Sequence, residues 1–123
     1  MSMRALRGAT TVEENRPEAI WEATQELLLA LLEANHLRPE EIISAIFTVT
    51  PDLTAAFPAT AARRLGWVSI PLLDMLAPPV AEDIPRCIRV LLHVETSQPP
   101  ESLRHLYLHR ARQLRPEWAG EPL

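Results

Sequence analysis

Two arginines stand where arginine is costly to place. Arg89 lies inside the apolar segment Cys87-Ile88-Arg89-Val90-Leu91-Leu92, and Arg7 inside Ala5-Leu6-Arg7-Gly8. A guanidinium among apolar neighbours loses hydration, so it must find an anion. For Arg89 two kinds of partner fit. An internal acid such as Asp74 or Glu95 would make it a structural ion pair. An anionic ligand would instead meet a permanently charged fork, suited to a carboxylate or to charge developing on an oxygen. Arg7 raises the same question against the plainer reading of an exposed strand arginine. Gly8 beside it would let a ligand approach the backbone closely. Tyr107, the one tyrosine, alternates away from Leu106 and Leu108. It is either a core tyrosine with a satisfied hydroxyl or a donor facing a ligand. Cys87 falls on the same strand face as Arg89 and reads as a buried, inert thiol. Arg63 and Arg64 read as solvated surface charge, and His36, His93, His105 and His109 are too scattered to mark a catalytic base.

What is missing narrows the chemistry. There is no Gly-rich phosphate loop, no serine elbow, no paired metal ligands and no lysine. Schiff-base chemistry and a phosphate-loop lysine are thereby excluded. Asp52, Asp74, Glu82 and Asp83 do not form an acid/base pair by spacing. An enzyme built from this set must work by placing charge. The 12 basic residues are all arginine and are outnumbered by 16 acids, for a net charge of −4. That balance argues against nucleic acid as a partner. One cysteine cannot close an internal disulfide. The first residues lack the apolar run of a signal peptide, and no run approaches the roughly 18–20 residues that span a bilayer. A cytoplasmic protein without membrane attachment is the expectation.

The elements that must carry these residues follow from periodicity. With 123 residues and 47% hydrophobic content, one domain is expected over residues 1–115, followed by a flexible, loosely packed tail at 116–123. Residues 3–12 predict a first strand, through Gly8 and the β-branched Thr10, Thr11 and Val12. Asn15 reads as a cap, with Pro17 in the first turn and Glu18 placed as a capping-box acid. From there Ile20, Thr24, Leu27, Leu28, Leu31 and Leu32 recur at helical spacing, predicting about five turns that end near Asn35-His36. Residues 42–50 suit a central strand covered on both faces. A short helix opens at Pro58 and stops at Gly66. Residues 68–73, interrupted by Pro71, predict a third strand at an edge. Residues 77–85 form a loop, and 87–95 a fourth strand with Ile88, Val90, Leu92 and Val94 on one face and Cys87, Arg89, Leu91 and His93 on the other. Residues 103–111 predict a fifth. The class is α+β (mixed α/β): a five-stranded mixed sheet with one long helix and a short helix. So little helix leaves part of the sheet uncovered, which predicts a closed homo-oligomer.

Five segments, in order and spacing, resemble the AroH-class monofunctional chorismate mutases. They are Arg4-Ala5-Leu6-Arg7-Gly8-Ala9-Thr10-Thr11-Val12-Glu13, Thr50-Pro51-Asp52-Leu53-Thr54-Ala55-Ala56-Phe57-Pro58-Ala59, Cys87-Ile88-Arg89-Val90, Arg104-His105-Leu106-Tyr107-Leu108 and Leu114-Arg115-Pro116. The resemblance implies a homotrimer with a pseudo-α/β-barrel core and active sites between adjacent subunits. It implies the sigmatropic (Claisen) rearrangement of chorismate to prephenate, a step toward phenylalanine and tyrosine. That reaction is unimolecular and needs no cofactor, metal, nucleophile or proton transfer.

By the same resemblance Arg89 is the cation beside the ether oxygen, where negative charge develops as the C–O bond breaks. Arg7 and Tyr107 would bind the carboxylate of the enolpyruvyl side chain and hold the compact conformer. Phe57, Ala59, Thr60 and Arg63 would come from the neighbouring subunit, and Leu72 and Leu73 would complete the wall. Met75, Leu76, Ala77 and Leu114 would also stand at the substrate, with Arg115 and the tail covering it. Two positions depart from the family. Ala77 stands where a glutamate is common, and Asp74 lies three positions earlier. Asp74 is therefore expected to supply the missing carboxylate, accepting a hydrogen bond from the ring hydroxyl and balancing Arg89. Thr60 stands where lysine is often found, which predicts slightly weaker binding at the mouth. The alternatives are a non-catalytic trimeric binding module on the same fold, or a structural oligomer in which Arg89 pairs with Asp74.

Overall fold

The computed structural model describes residues 1–120. Its main elements are β1 (Ser2–Thr11), α1 (Pro17–Ala34), β2 (Ile42–Val49), α2 (Pro58–Arg64), β3 (Leu72–Leu76), β4 (Cys87–Thr96) and β5 (Leu106–Tyr107). The strands make one mixed sheet in the order β3-β2-β4-β1-β5. β4 runs antiparallel to both β1 and β2, while the two edge strands, β3 and β5, run parallel to their neighbours. The α+β class with one long and one short helix is as expected.

α1 buries Ile20, Thr24, Leu27, Leu28, Leu31 and Leu32, the positions its periodicity marks. They meet Leu6, Phe47, Val90, Leu92 and Val94, one face of the sheet, and Trp67 closes the layer beyond α2. Each leucine so buried contributes roughly 1.5–3 kcal/mol relative to exposure. The β4 alternation holds: Cys87 is buried on the far side, while Ile88, Val90, Leu92 and Val94 lie under the helices. The opposite face has no helical cover. Met3, Leu73 and Met75 are exposed there, and Ile46 and Leu91 only half-buried.

Several local expectations change. β2 is covered on one face only, because Ser44, Ile46 and Thr48 look out on the open side. The third strand starts at Leu72 instead of residue 68, since Pro71 has no N–H for the ladder; Pro71 serves only as an acceptor, its carbonyl 3.1 Å from Ala45 N. Asp74, Met75 and Leu76 thus lie within β3. The fifth strand shrinks to two residues. Asn35 Oδ1 takes the Arg104 N–H, and His109, at φ 53°, turns the chain away after Leu108. Asn15 does not cap α1; Arg16 occupies that position without a side-chain hydrogen bond. Instead Asn15 Oδ1 accepts from Thr54 N and Ala55 N, both at 3.0 Å, pinning the loop before α2.

The chain after Pro116 packs through residue 120, contrary to the loose tail expected there. Pro116–Trp118 forms a single helical turn, and Gly120 N donates to Tyr107 O at 2.9 Å. Residues 121–123 of the expected tail lie outside the described residues. No helix among the described residues is long and apolar enough to cross a membrane.

Gly8 serves packing, not ligand approach. A Cβ there would meet Leu31 Cδ1 at 2.7 Å and Leu27 Cδ1 and Val90 Cγ1 at 3.2 Å. The missing side chain lets α1 sit against β1. Gly8→Val should therefore destabilise by about 1–3 kcal/mol through overpacking. A thermal midpoint equal to wild type would contradict this account.

Candidate active site

Strand pairing lines up one row across the open face of the sheet. Met75 is level with Thr48, Thr48 with Arg89, Arg89 with Ala9, and Ala9 with Tyr107. Paired residues point to the same side of a sheet. Arg89 and Tyr107 therefore face the same way from β4 and β5, separated only by the small Ala9 of β1. Arg7, two positions before Ala9, shares that face. Its Nη2 donates to the Tyr107 hydroxyl at 2.8 Å. The sheet thus brings Arg7, Tyr107 and Arg89 together, as expected, with the Tyr107 hydroxyl satisfied by a cation instead of by core backbone.

Around this trio lies a second tier that spacing did not mark. Arg7 N donates to His105 Nδ1 at 2.9 Å, so that nitrogen must be unprotonated. Burial lowers the His105 pKa first, and the nearby Arg7 and Arg115 lower it further. The Trp118 ring lies 4.3 Å from the His105 ring and edge-on to Tyr107 at 5.5 Å. Arg115 stacks over Trp118 at 3.6 Å and pairs with Glu117 at 2.9 Å. Leu114 packs against the cluster of Ala9, Cys87, Tyr107 and Ala111. Leu114 and Arg115 are thus beside the trio. Cys87 is a free, buried thiol whose pKa burial pushes up to about 11. It is inert at neutral pH.

Arg89 finds a carboxylate that is neither Asp74 nor Glu95. Asp83 Oδ1 lies 3.0 Å from Nη2 and Oδ2 3.4 Å from Nη1. Burial is the largest single influence and works against the Arg89 charge, but the Asp83 hydrogen bond together with the surrounding charges outweighs it, and the net shift is upward. The same contact lowers the Asp83 pKa. Thr48, Ala77, Pro78, Val80, Glu82, Asp83 and Arg89 line an open cavity of about 450 Å³. Ala77 thus stands in the cavity of Arg89 without a charge of its own.

Asp74 goes elsewhere. In register with Phe47 and Val90, it points to the helical side of the edge strand, and its Oδ1 accepts the Ala59 N–H at 3.0 Å. Burial raises its pKa, opposed by the Ala59 hydrogen bond and by the charge of Arg63. Asp74 therefore does not balance Arg89 within one chain, which corrects that expectation. Phe57, Thr60, Asp74, Met75, Leu76 and Trp21 are among the walls of a second cavity of about 670 Å³. Arg63 Nη2 donates to Thr60 Oγ1 at its rim. Ala59 is buried and offers only its N–H, while Leu72 packs into the core under the helices. Leu73 is exposed on the open face. Arg64 is not simply solvated, since it stacks on Trp21 at 3.8 Å.

The expected site residues thus fall into two groups on opposite sides of one sheet. One holds Arg7, Tyr107 and Arg89; the other holds Phe57, Thr60, Arg63 and Asp74. Asp83 and Trp118 had no signal in motif or alternation, because each reaches the first group through a loop or turn; His105 lies in a family-like segment, but nothing local marked it as the acceptor of the Arg7 N–H.

Comparison with known proteins gives concordant results. The family described as chorismate mutase type I matches residues 3–118. The chain is 53% identical over 116 residues to chorismate mutase AroH of Thermus thermophilus, covering 94% of this chain and 95% of that protein. It is 42% identical over 118 residues to chorismate mutase AroH of Bacillus subtilis (strain 168), covering 95% and 93%. Among solved structures, a chorismate mutase from Clostridium thermocellum superposes with a TM-score of 0.88 at 46% identity, covering 89% of this chain and 98% of that one.

The His105 contact makes a pH prediction. Its folded pKa lies below the ordinary 6.5, so the folded state binds fewer protons than the unfolded one there. The stabilisation is complete above that value and is lost as pH falls below it. The thermal midpoint of the wild type should drop more between pH 7 and 5 than that of His105→Asn, whose carbonyl keeps an acceptor for Arg7 N–H. Parallel curves for the two proteins would refute it.

Proposed function

This chain belongs to the type I chorismate mutase family and isomerises chorismate to prephenate, and from that premise we propose that Arg7, Tyr107 and Arg89 form the electrostatic half of its active site. The observation that carries this reading is their alignment on one open sheet face, with Arg7 bonded to Tyr107. The rearrangement moves electrons around a ring as one C–O bond breaks and one C–C bond forms. Negative charge collects on the ether oxygen, so a cation fixed beside it favours the transition state over the ground state. Arg89 is that cation. Arg7 and Tyr107 hold the side-chain carboxylate, which keeps the two reacting termini close. Leu114 and Arg115 cover this end, and Ala77 borders the cavity at Arg89.

The other half comes from a second copy of the chain. Phe57, Ala59, Thr60, Arg63 and Asp74, with Leu72 and Leu76 beside them, lie on the far side of the sheet and cannot converge on Arg89 of the same chain, while Leu73 and Met75 stand on the open face at its β3 edge. A homotrimer brings the two halves face to face and covers the apolar open face. Asp74, delivered by that neighbour, accepts the ring hydroxyl of the substrate. A carboxylate oxygen there accepts that hydrogen bond, as Oδ1 already accepts the Ala59 N–H. The bacterial relatives, and the fact that no helix among the described residues is long and apolar enough to cross a membrane, support a cytoplasmic enzyme.

Two experiments test this. Arg89→Ala should lose about 10²–10³-fold in turnover, followed by loss of chorismate absorbance, because one preorganised donor is worth roughly 3–4 kcal/mol. Turnover within a few-fold of wild type would remove Arg89 from the mechanism. Separately, Arg89→Ala and Asp74→Ala chains should each be inactive alone. Refolded together as trimers in equal amounts, they should regain about a quarter of wild-type activity, since a site pairing two intact halves then forms by chance. No recovery, or active Asp74→Ala homo-oligomers, would refute the shared site.

A further inference from the structure

We propose that Asp83 is a positioning residue for the rearrangement: its carboxylate fixes the Arg89 guanidinium end-on, at a cavity wall where Ala77 offers no charge. The inference rests on the functional reading above, because Asp83 has this task only if Arg89 meets the substrate. Catalysis by charge placement needs a cation that is held before the reaction starts. An arginine side chain has long, flexible torsions, and ordering it costs entropy. The Arg89 side chain is 22% exposed, and that of Asp83 20%, so neither is locked by burial alone.

The contact is built on the two terminal nitrogens, Nη1 and Nη2. Nε–H and the outer N–H groups remain for the cavity. Asp83 is itself fixed independently of Arg89. Its Oδ1 also accepts the Ile84 N–H at 2.8 Å, and its own N–H donates to Val80 O at 3.1 Å. Ile84 packs against the Cys87 and Tyr107 cluster. Ala77 N, bound to Val49 O at 2.8 Å, ties down the start of the loop. At its end Arg86 adopts a left-handed backbone, φ 50°, that an arginine adopts only when held. Its N–H donates to Asp52 Oδ2 at 2.9 Å and its Nε–H to Val12 O at 3.0 Å. A counter-ion meant to be displaced by substrate would need none of these ties. Glu82 borders the same cavity but is exposed.

The test uses the full chain and chorismate consumption. D83N, which keeps shape and removes charge, should lower kcat about tenfold while KM changes less than about threefold and the thermal midpoint stays near wild type. A77E in the D83N background, which returns a carboxylate to the same cavity, should recover most of the lost kcat. Wild-type kcat in D83N would overturn the inference, as would a fall in KM with equal or faster turnover, the mark of a counter-ion that competes with substrate. A kcat loss that follows a loss of thermal stability and that A77E does not restore would also overturn it, making Asp83 a purely structural partner. In each of those cases a collapse in R89A would leave the functional reading standing. A wild-type protein without turnover would sink both.

Discussion

The pleat of β4 is the constraint on which the remaining architecture rests. Successive side chains of a strand point to opposite faces, and Ile88, Val90, Leu92 and Val94 are buried beneath the helices. Arg89 is therefore forced onto the other face, in the middle strand of five. Slipping the register by one would place a guanidinium under Leu27 and Leu31, at a cost far beyond that of any surface ion pair. The antiparallel pairing with β1 then fixes Ala9 beside Arg89, and the short parallel pairing of β5 fixes Tyr107 beside Ala9. One strand's alternation thus brings residues of three strands onto one face.

Charge supplies the next level. The protein carries a net charge of −4, yet cations are concentrated where the sheet is uncovered, with Arg7 and Arg89 on the face and Arg115 above Trp118. None of these is left to wander. Arg7 is held through its own N–H by His105 and through its guanidinium by Tyr107. Arg89 is held by Asp83, and Arg115 lies flat on an indole. Such ties trade some field strength for fixed direction, a trade that suits a reaction with little charge to move and no proton to transfer.

The same sheet divides the chemistry. Asp74 sits one residue out of phase with Met75, so it turns toward α2 while the row containing Arg89 turns away. A single chain presents the two groups of residues back to back, and one sheet face stays without helical cover.

Much of this was legible in the sequence because it depends on short periods. The leucine spacing of α1, the alternation of β4, and the Pro58 and Gly66 limits of α2 each encode their geometry within a few residues, so Arg89 could be singled out from neighbours alone. Arg7 and Tyr107 were singled out in the same way, and the resemblance of five segments supplied the roles expected of them. Tertiary structure alone decided the rest. The partner of Arg89 is Asp83 instead of Asp74 because a loop's path, fixed by Asp52, Val12 and Val49 at or just beyond the ends of β1 and β2, sets where its carboxylate arrives. Asn15 bonds the loop before α2 instead of capping α1, and β5 stops after two residues where His109 turns the chain. Gly8 makes room for a helix instead of a ligand. For the Asp83 loop, Asn15 and Gly8 the deciding partner is far away along the chain. Local pattern sets which face a side chain takes, but only the folded register and the packed layers determine what stands opposite it.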